Sequence, residues 1–376
     1  MLVLMGCVAL ALDLGLMWGA KRRMQTAADA GALAGAVASR QTPAQDVTTA
    51  AKDASALNGF TDGTGGVNVT VNPSYSGGGC TANCVKVTVE QEQATYFLRV
   101  VGYTQIDVQA SAVAGTTNDS NDCIYALGPK SPALRITGTP DVNSSCGAVV
   151  NNNAQCGGNF TFSAPIGVAG TAQNCPANTV TGISPVPDPF SYLGTSPPAC
   201  SGSTSQTINN GQTVTLTPGD YCHGITIHNG ATVTFGAGTY NLGSHGLTID
   251  GGTIRGTGVT FVSTGNDSFT GSPLINLSAP TTDTNVTNGS GSTVNVKGIL
   301  FWDTSSSTST ISGTSGSTFD GALYFPNSEL KYAGTSASSG YTMIAADQVT
   351  ITGNTTVGDN YTSIGGSLIK TSSLYQ

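Results

Sequence analysis

Charge is what this chain has least of. Only 9% of its 376 residues are Asp, Glu, Lys or Arg, against about 25% in an ordinary soluble protein. The 13 basic residues are outnumbered by 21 acidic ones, for a net charge of −8. That balance excludes nucleic acid as a partner, because phosphate binding needs a basic surface. Histidine is scarce as well. His223, His228 and His245 are the only three, and they lie far in sequence from Cys80-x-x-x-Cys84. No second cysteine pair has finger-like spacing, so structural zinc is not expected. Glycine, by contrast, contributes 50 residues, and Ser, Thr and Asn fill much of the remainder. Disorder favours high net charge and few β-branched residues. Low charge with abundant Thr, Val and Gly instead describes extended β structure whose surface is solvated by hydroxyls and amides.

Nine cysteines divide into Cys7, within an apolar run, and eight others: Cys80, Cys84, Cys123, Cys146, Cys156, Cys175, Cys200 and Cys222. An even set outside the apolar run points to disulfides and an oxidising compartment. Eight cysteines allow 105 pairings. Pairing neighbours in order gives 80–84, 123–146, 156–175 and 200–222; buried free thiols are the alternative.

Residues 1–20 are almost wholly apolar, about the length of a membrane span. Six leucines and two valines roughly offset Asp13, an acid that costs about 2.5–3.5 kcal/mol near a span's centre. Trp18 would sit at the interface, with Lys21, Arg22 and Arg23 just beyond it. Such intramembrane acids often pair with a partner subunit; a tolerated acid with access to water is the plainer reading. Gly15-x-x-x-Gly19 and Ala27-x-x-x-Gly31-x-x-x-Gly35 put small residues on one helical stripe, which permits close helix–helix contact. Leu4-Met5-Gly6-Cys7 has the outline of a lipobox, but the apolar run continues past it, so lipidation is not expected. Prepilin-type cleavage after Gly6 would want an acid at Ala11.

Leu12-Asp13-Leu14-Gly15, Lys21-Arg22-Arg23-Met24-Gln25 and the Ala27–Ala36 run (AADAGALAGA) closely resemble the N-terminal segment of the Tad (tight adherence, Flp) pilus-assembly proteins of the TadE/TadG-like group. The resemblance covers roughly 30 residues. It implies anchoring in a bacterial inner membrane and partners among pilus or pilus-assembly proteins. Members of that group usually carry a longer, basic stretch before this point. Here no basic residue precedes the apolar run. The positive-inside rule alone would therefore put Lys21–Arg23 in the cytoplasm, against the cysteine pattern. The expectation is that the sequence begins inside a longer protein or at an internal methionine.

Residues 21–115 read as a small α/β module. The first helix should run to about Ser39 and stop by Pro43, and a second should span Ala44–Leu57 and end at Asn58-Gly59. Val67, Val69 and Val71 alternate with polar residues, as do Val85, Val87 and Val89 across a turn at Gly77-Gly78-Gly79, which predicts a hairpin. Tyr96, Phe97, Val100 and Val101 have helical spacing. Ile106, Val108, Ala110 and Ala112 form a third strand. Glu90 and Glu92 share a strand face and are read as solvated. The stretch Phe97–Gly102, closing at Ala110–Ala114, resembles the end of the same family's N-terminal module.

Thr116–Asn121 reads as a polar linker, and beyond it helical periodicity vanishes. Ile225-Thr226-Ile227-His228-Asn229-Gly230 is echoed 22 positions on by Leu247-Thr248-Ile249-Asp250-Gly251-Gly252, and again by Val349-Thr350-Ile351-Thr352-Gly353-Asn354. Pro218-Gly219-Asp220-Tyr221 is echoed by Ala237-Gly238-Thr239-Tyr240. A period near 20 predicts a β-solenoid over 116–376, drawn as a right-handed parallel β-helix, with a β-sandwich as the alternative. The segments Cys123–Leu127, Gly256–Phe261, Gly298–Trp302 and Gly321–Pro326 resemble β-helix-like C-terminal regions of some TadG-like proteins.

Three chemistries have candidate residues on this domain. Asp303-x-Ser305-x-Ser307 fits the metal-site pattern of von Willebrand A domains, but no helix signal follows it. Asp220, Asp250, Asp267, His223 and Arg255 could serve a polysaccharide-active β-helix, yet nothing pairs two carboxylates at a repeat-defined position. The tandem nonapeptides of calcium-binding solenoids are missing. The reading is therefore a protein that binds and scaffolds rather than an enzyme, with no cofactor. It would be anchored in the inner membrane by residues 1–20, with its bulk periplasmic or extracellular. A surface adhesin that contacts glycan or host protein is the runner-up, and a β-helix enzyme comes after it.

Overall fold

The computed structural model describes residues 2–39, 46–77, 80, 84–117, 122–137, 141–333, 340–369 and 371–375. The chain forms two compact units, one of residues 1–119 with 370–376, the other of residues 120–369.

In the first unit, helix α1 (Leu2–Ala38) and helix α2 (Val47–Leu57) pack on a four-stranded antiparallel sheet. Its strands β1 (Val67–Asn72), β2 (Val85–Ala94) and β3 (Gln105–Thr117) follow in order. The fourth strand, Thr371–Tyr375, joins the free edge of β3. The alternation of valines explains the layer. Val85, Val87 and Val89 of β2 are buried, while the residues between them are only half-buried. They meet an α1 face of Met24, Ala27, Ala28, Ala32 and Ala36, all fully buried. Small side chains here bring the helix close to both the sheet and α2. Asp46 caps α2 by accepting from the Thr48 N–H and the Thr49 hydroxyl. The helix, strand, strand, short helix, strand order expected from the periodicity is present, with a 3-10 turn at Leu98–Val101 as the short helix. The last strand was not foreseen. The sequence reading gave residues 371–375 to the distal domain, whereas they pair with β3.

The second unit is a β-solenoid of about ten turns. The strands of its successive turns pair in parallel, with bulges at a few steps, which a β-sandwich would not show; the one antiparallel pair among the named strands of this unit is the side hairpin of Asn285–Thr287 with Thr293–Asn295. The first echo is literal, since Ile225, Thr226 and Ile227 pair with Leu247, Thr248 and Ile249. The second is offset by two residues. Gly219 pairs with Tyr240 rather than with Gly238, although Tyr221 and Tyr240 still stack, with ring centroids 6.0 Å apart. Three of the family-like segments fall on one ladder, where Phe261 pairs with Phe301 and Phe301 with Leu323; the fourth extends it, as Ile124 pairs with Ile344. Phe235, Phe261, Phe301 and Phe325 form part of the aromatic spine inside.

The turns do not stack in chain order. Strand Asp122–Ala126 pairs on one side with Thr342–Thr352 and on the other with Gly147–Val150. The first strand of the unit therefore meets one of its last inside the stack. After Val180–Thr181 the chain must travel to the opposite end, where Gln206–Ile208 begins. A proline-rich strap makes the journey along the flank. Val186 exchanges hydrogen bonds with Asn151, Asp188 accepts from the Tyr324 hydroxyl, Leu193 accepts from Asn288, Pro198 accepts from Asn241, and Cys200 is bonded to Cys222. Phe190 and Leu193 of the strap are fully buried. Proline at 185, 187, 189, 197 and 198 suits an extended segment that joins no ladder.

All four disulfides follow the expected neighbour order: 80–84, 123–146, 156–175 and 200–222.

Candidate membrane- and partner-facing site

The residues singled out on α1 separate into an inward set and an outward set. Asp13 faces inward and is buried. Its Oδ1 accepts the Tyr96 N–H at 3.0 Å, and its Oδ2 accepts those of Phe97 and Leu98 at 2.9 and 2.7 Å. These donors open the 3-10 turn at the tip of the β2–β3 hairpin. A carboxylate bonded by three backbone amides has its charge satisfied within the unit. Asp13 therefore fastens the hairpin tip to α1, a role that the sequence reading did not consider. Backbone donors leave no side-chain signature from which it could have been read.

The small-residue stripe divides in the same way. A Cβ on Gly31 would stand 2.6 Å from Ser55 Oγ and 3.0 Å from the Ala51 carbonyl. On Gly35 it would stand 2.9 Å from Val85 Cγ1. Ala27 is buried, and its carbonyl accepts from the Ser55 hydroxyl. This half of the stripe is used against α2 and β2. Gly15 and Gly19 have nothing within 4 Å of the same position and remain open for a partner. Lys21, Arg22 and Arg23 are exposed. Leu10, Leu12, Leu14, Leu16 and Trp18 are also exposed. Among the described residues, no helix is long and apolar enough to cross a membrane. The side chain of Cys7, and Pro43, Ala44, Gly78 and Gly79, lie outside the described residues. So do 118–121 of the expected linker, while Thr116 and Thr117 belong to β3.

On the solenoid Asp267 and Asp303 come together through Ser309, and Asp250 meets a histidine, His228. Asp220 is exposed and accepts from the Ser201 N–H. Asp250 meets His228 Nδ1 at 3.2 Å. His223 packs beside His245, with ring centroids 5.1 Å apart. Arg255 is exposed mid-strand. Asp267 is fully buried in an inward column, between Leu247 and Ser309. Its Oδ1 accepts the Leu247 N–H at 2.7 Å, whereas its Oδ2 has no hydrogen-bond partner. Asp303 is also fully buried and accepts the Ser305 N–H and the Ser309 hydroxyl. The Asp303–Ser307 motif is thus an internally satisfied turn. Among the described residues, no cluster of three or more His, Cys, Asp or Glu side chains is placed to hold a metal. An open groove of about 530 Å³ is lined by Ser145, Thr161, Ser163, Asp359 and Asn360 together with Val357 and glycines.

Residues 1–38 match the Tad family model, described as putative Flp pilus-assembly TadE/G-like. The match ends with α1. It associates the TadE/G-like segment with pilus or pilus-assembly proteins in the cell envelope. No curated protein and no solved structure matches the chain.

Proposed function

We propose that the protein is a membrane-anchored Tad/Flp-type pilus assembly or minor pilus-associated protein that works by binding and scaffolding. The observation that carries this reading is the coincidence of the TadE/G-like match with α1, whose residues 10–18 turn five large apolar side chains outward. In this reading α1 anchors the chain in the inner membrane. The open Gly15 and Gly19 accept a neighbouring helix, and the disulfide-stapled solenoid stands in the periplasm or outside the cell. Four disulfides support an oxidising location. The two neighbouring acids Asp267 and Asp303 are fully buried rather than open to a substrate, which supports binding over turnover.

Deleting the gene tests the assembly role, with loss of pili as the expected result. Retained pili with lost attachment would replace it with the adhesin reading, which the open groove, with the hydroxyls of Ser145, Thr161 and Ser163, favours as a glycan contact. Protease treatment of a C-terminally tagged chain separates the locations: cleavage in intact cells places the solenoid outside, and cleavage only in spheroplasts places it in the periplasm.

A further inference from the structure

We infer that the tip of the β2–β3 hairpin, Tyr96–Tyr103, is a second membrane contact, inserted into the interfacial layer of a phospholipid bilayer beside the apolar face of α1. The inference rests on the anchor reading above and adds to it a surface whose first residue, Tyr96, lies 83 positions beyond Asp13.

The tip is held at one level of α1 by the three amide bonds to Asp13. With its amides committed there, it directs side chains outward. Tyr96 is 63% exposed, Phe97 45%, Val100 85% and Tyr103 62%. Together with Leu10, Leu12, Leu14, Leu16 and Trp18 they make nine of the fourteen large exposed apolar side chains described for the chain. A contiguous apolar end of this kind marks a docking surface.

The composition specifies lipid. Tyr and Trp have an apolar body and a polar handle, and they concentrate where hydrocarbon meets headgroups. Arg99 is exposed in the same turn, and a guanidinium pairs with headgroup phosphate. The charged residues set the depth. Lys21 follows Asp13 by eight helical residues, about 12 Å along the axis. Glu92 and Asp107 face each other across the β2–β3 ladder, each four residues from the tip, about 13 Å along a strand. Basic clamp and acidic pair thus stand at a similar height, in water. Among the described residues, those below them are aromatic, aliphatic and neutral polar groups, Arg99, and an acid already satisfied by amides. Asp13 enters the low-dielectric layer together with its donors, which removes most of the cost of burying a lone carboxylate.

Quenching of tryptophan by brominated lipid tests this on the full chain, in vesicles of phosphatidylcholine and phosphatidylglycerol with bromine near the top of the acyl chain. Trp302 is fully buried in the solenoid and supplies a constant background, measured in Trp18→Phe. The double variant Trp18→Phe/Val100→Trp reports the tip, at a position open enough to leave the fold unchanged. The parent reports α1 through Trp18. Loss of most of the emission from the position-100 tryptophan, in brominated vesicles only, is the expected result. An unquenched tip with a quenched Trp18 would overturn the inference, leave the anchor standing, and mean that the tip faces water or protein. No quenching at either position would overturn both.

Discussion

Asp13 and Leu98, 85 positions apart in the chain, are joined by a 2.7 Å hydrogen bond from the Leu98 amide to the Asp13 carboxylate. With the Tyr96 and Phe97 amides it makes the hairpin tip one body with α1. Asp13→Ala should release the tip without dissolving the sheet behind it, because Val85, Val87 and Val89 keep their contacts. Hydrogen exchange at Tyr96, Phe97 and Leu98 should quicken by roughly tenfold or more, the factor that loss of one charge-assisted hydrogen bond supplies. Exchange along β2 should change little. Asn, which keeps one acceptor, should fall between.

The two halves of the glycine stripe should respond in opposite directions. Gly31→Ala drives a methyl against Ser55 Oγ and the Ala51 backbone, an overpacking cost of about 1–3 kcal/mol. Gly15→Ala and Gly19→Ala meet open space in mid-helix and should stabilise α1 by up to about 1 kcal/mol each. Melting temperatures of the three variants decide it. In cells the order should invert if a neighbouring helix seats on Gly15 and Gly19, since the added methyls would then obstruct it.

Acid should favour the solenoid. Burial pushes the Asp303 carboxyl up to about 6. Burial, reinforced by the charge of Asp303, holds Asp267 well above the usual carboxylate range. In the window above the ordinary value near 3.8 the folded chain keeps protons that the unfolded chain has released, so stability falls as pH rises. The contribution is complete below that value and is lost as pH climbs through about 6 for Asp303 and higher for Asp267. Asp267→Asn should therefore flatten the pH dependence of solenoid melting and raise the melting temperature at pH 8 relative to the parent.

Disulfide removal should scale with the loop closed. Cys80–Cys84 spans 4 positions and Cys123–Cys146 spans 23. On the chain-entropy account, replacing the latter pair with alanine should cost about 1.5 kcal/mol more than replacing the former. Denaturant unfolding of the two double variants measures the difference.

Much of this architecture was legible because it is local or periodic. The valine alternation at 67–71 and 85–89 marked two strands. The Ile-Thr-Ile echo marked adjacent turns, and adjacent cysteines proved to be bonded. What stayed hidden has no local signature. The Thr371–Tyr375 strand joins β3 across the whole chain. The Asp13 clamp uses backbone donors. The two-residue offset between Gly219 and Tyr240 arises because successive turns differ in length, which a string comparison absorbs as similarity. The strap at 185–198 has no repeat to give it away, and its partners, such as Tyr324 for Asp188 and Asn288 for Leu193, lie far off in the chain.

The meeting of Asp122–Ala126 with Thr342–Thr352 has a consequence in time. A chain emerging from its amino end makes the 122–181 turns first, yet their lower neighbour is among the last strands to appear. Until then the early turns present an open parallel edge on Ile124, Tyr125 and Ala126. Pairing at such sequence distance makes for slow closure. The inner seam of the solenoid should thus close last, only after synthesis is nearly complete, and loss of the 342–352 strand should cleave the finished stack in two rather than shorten it.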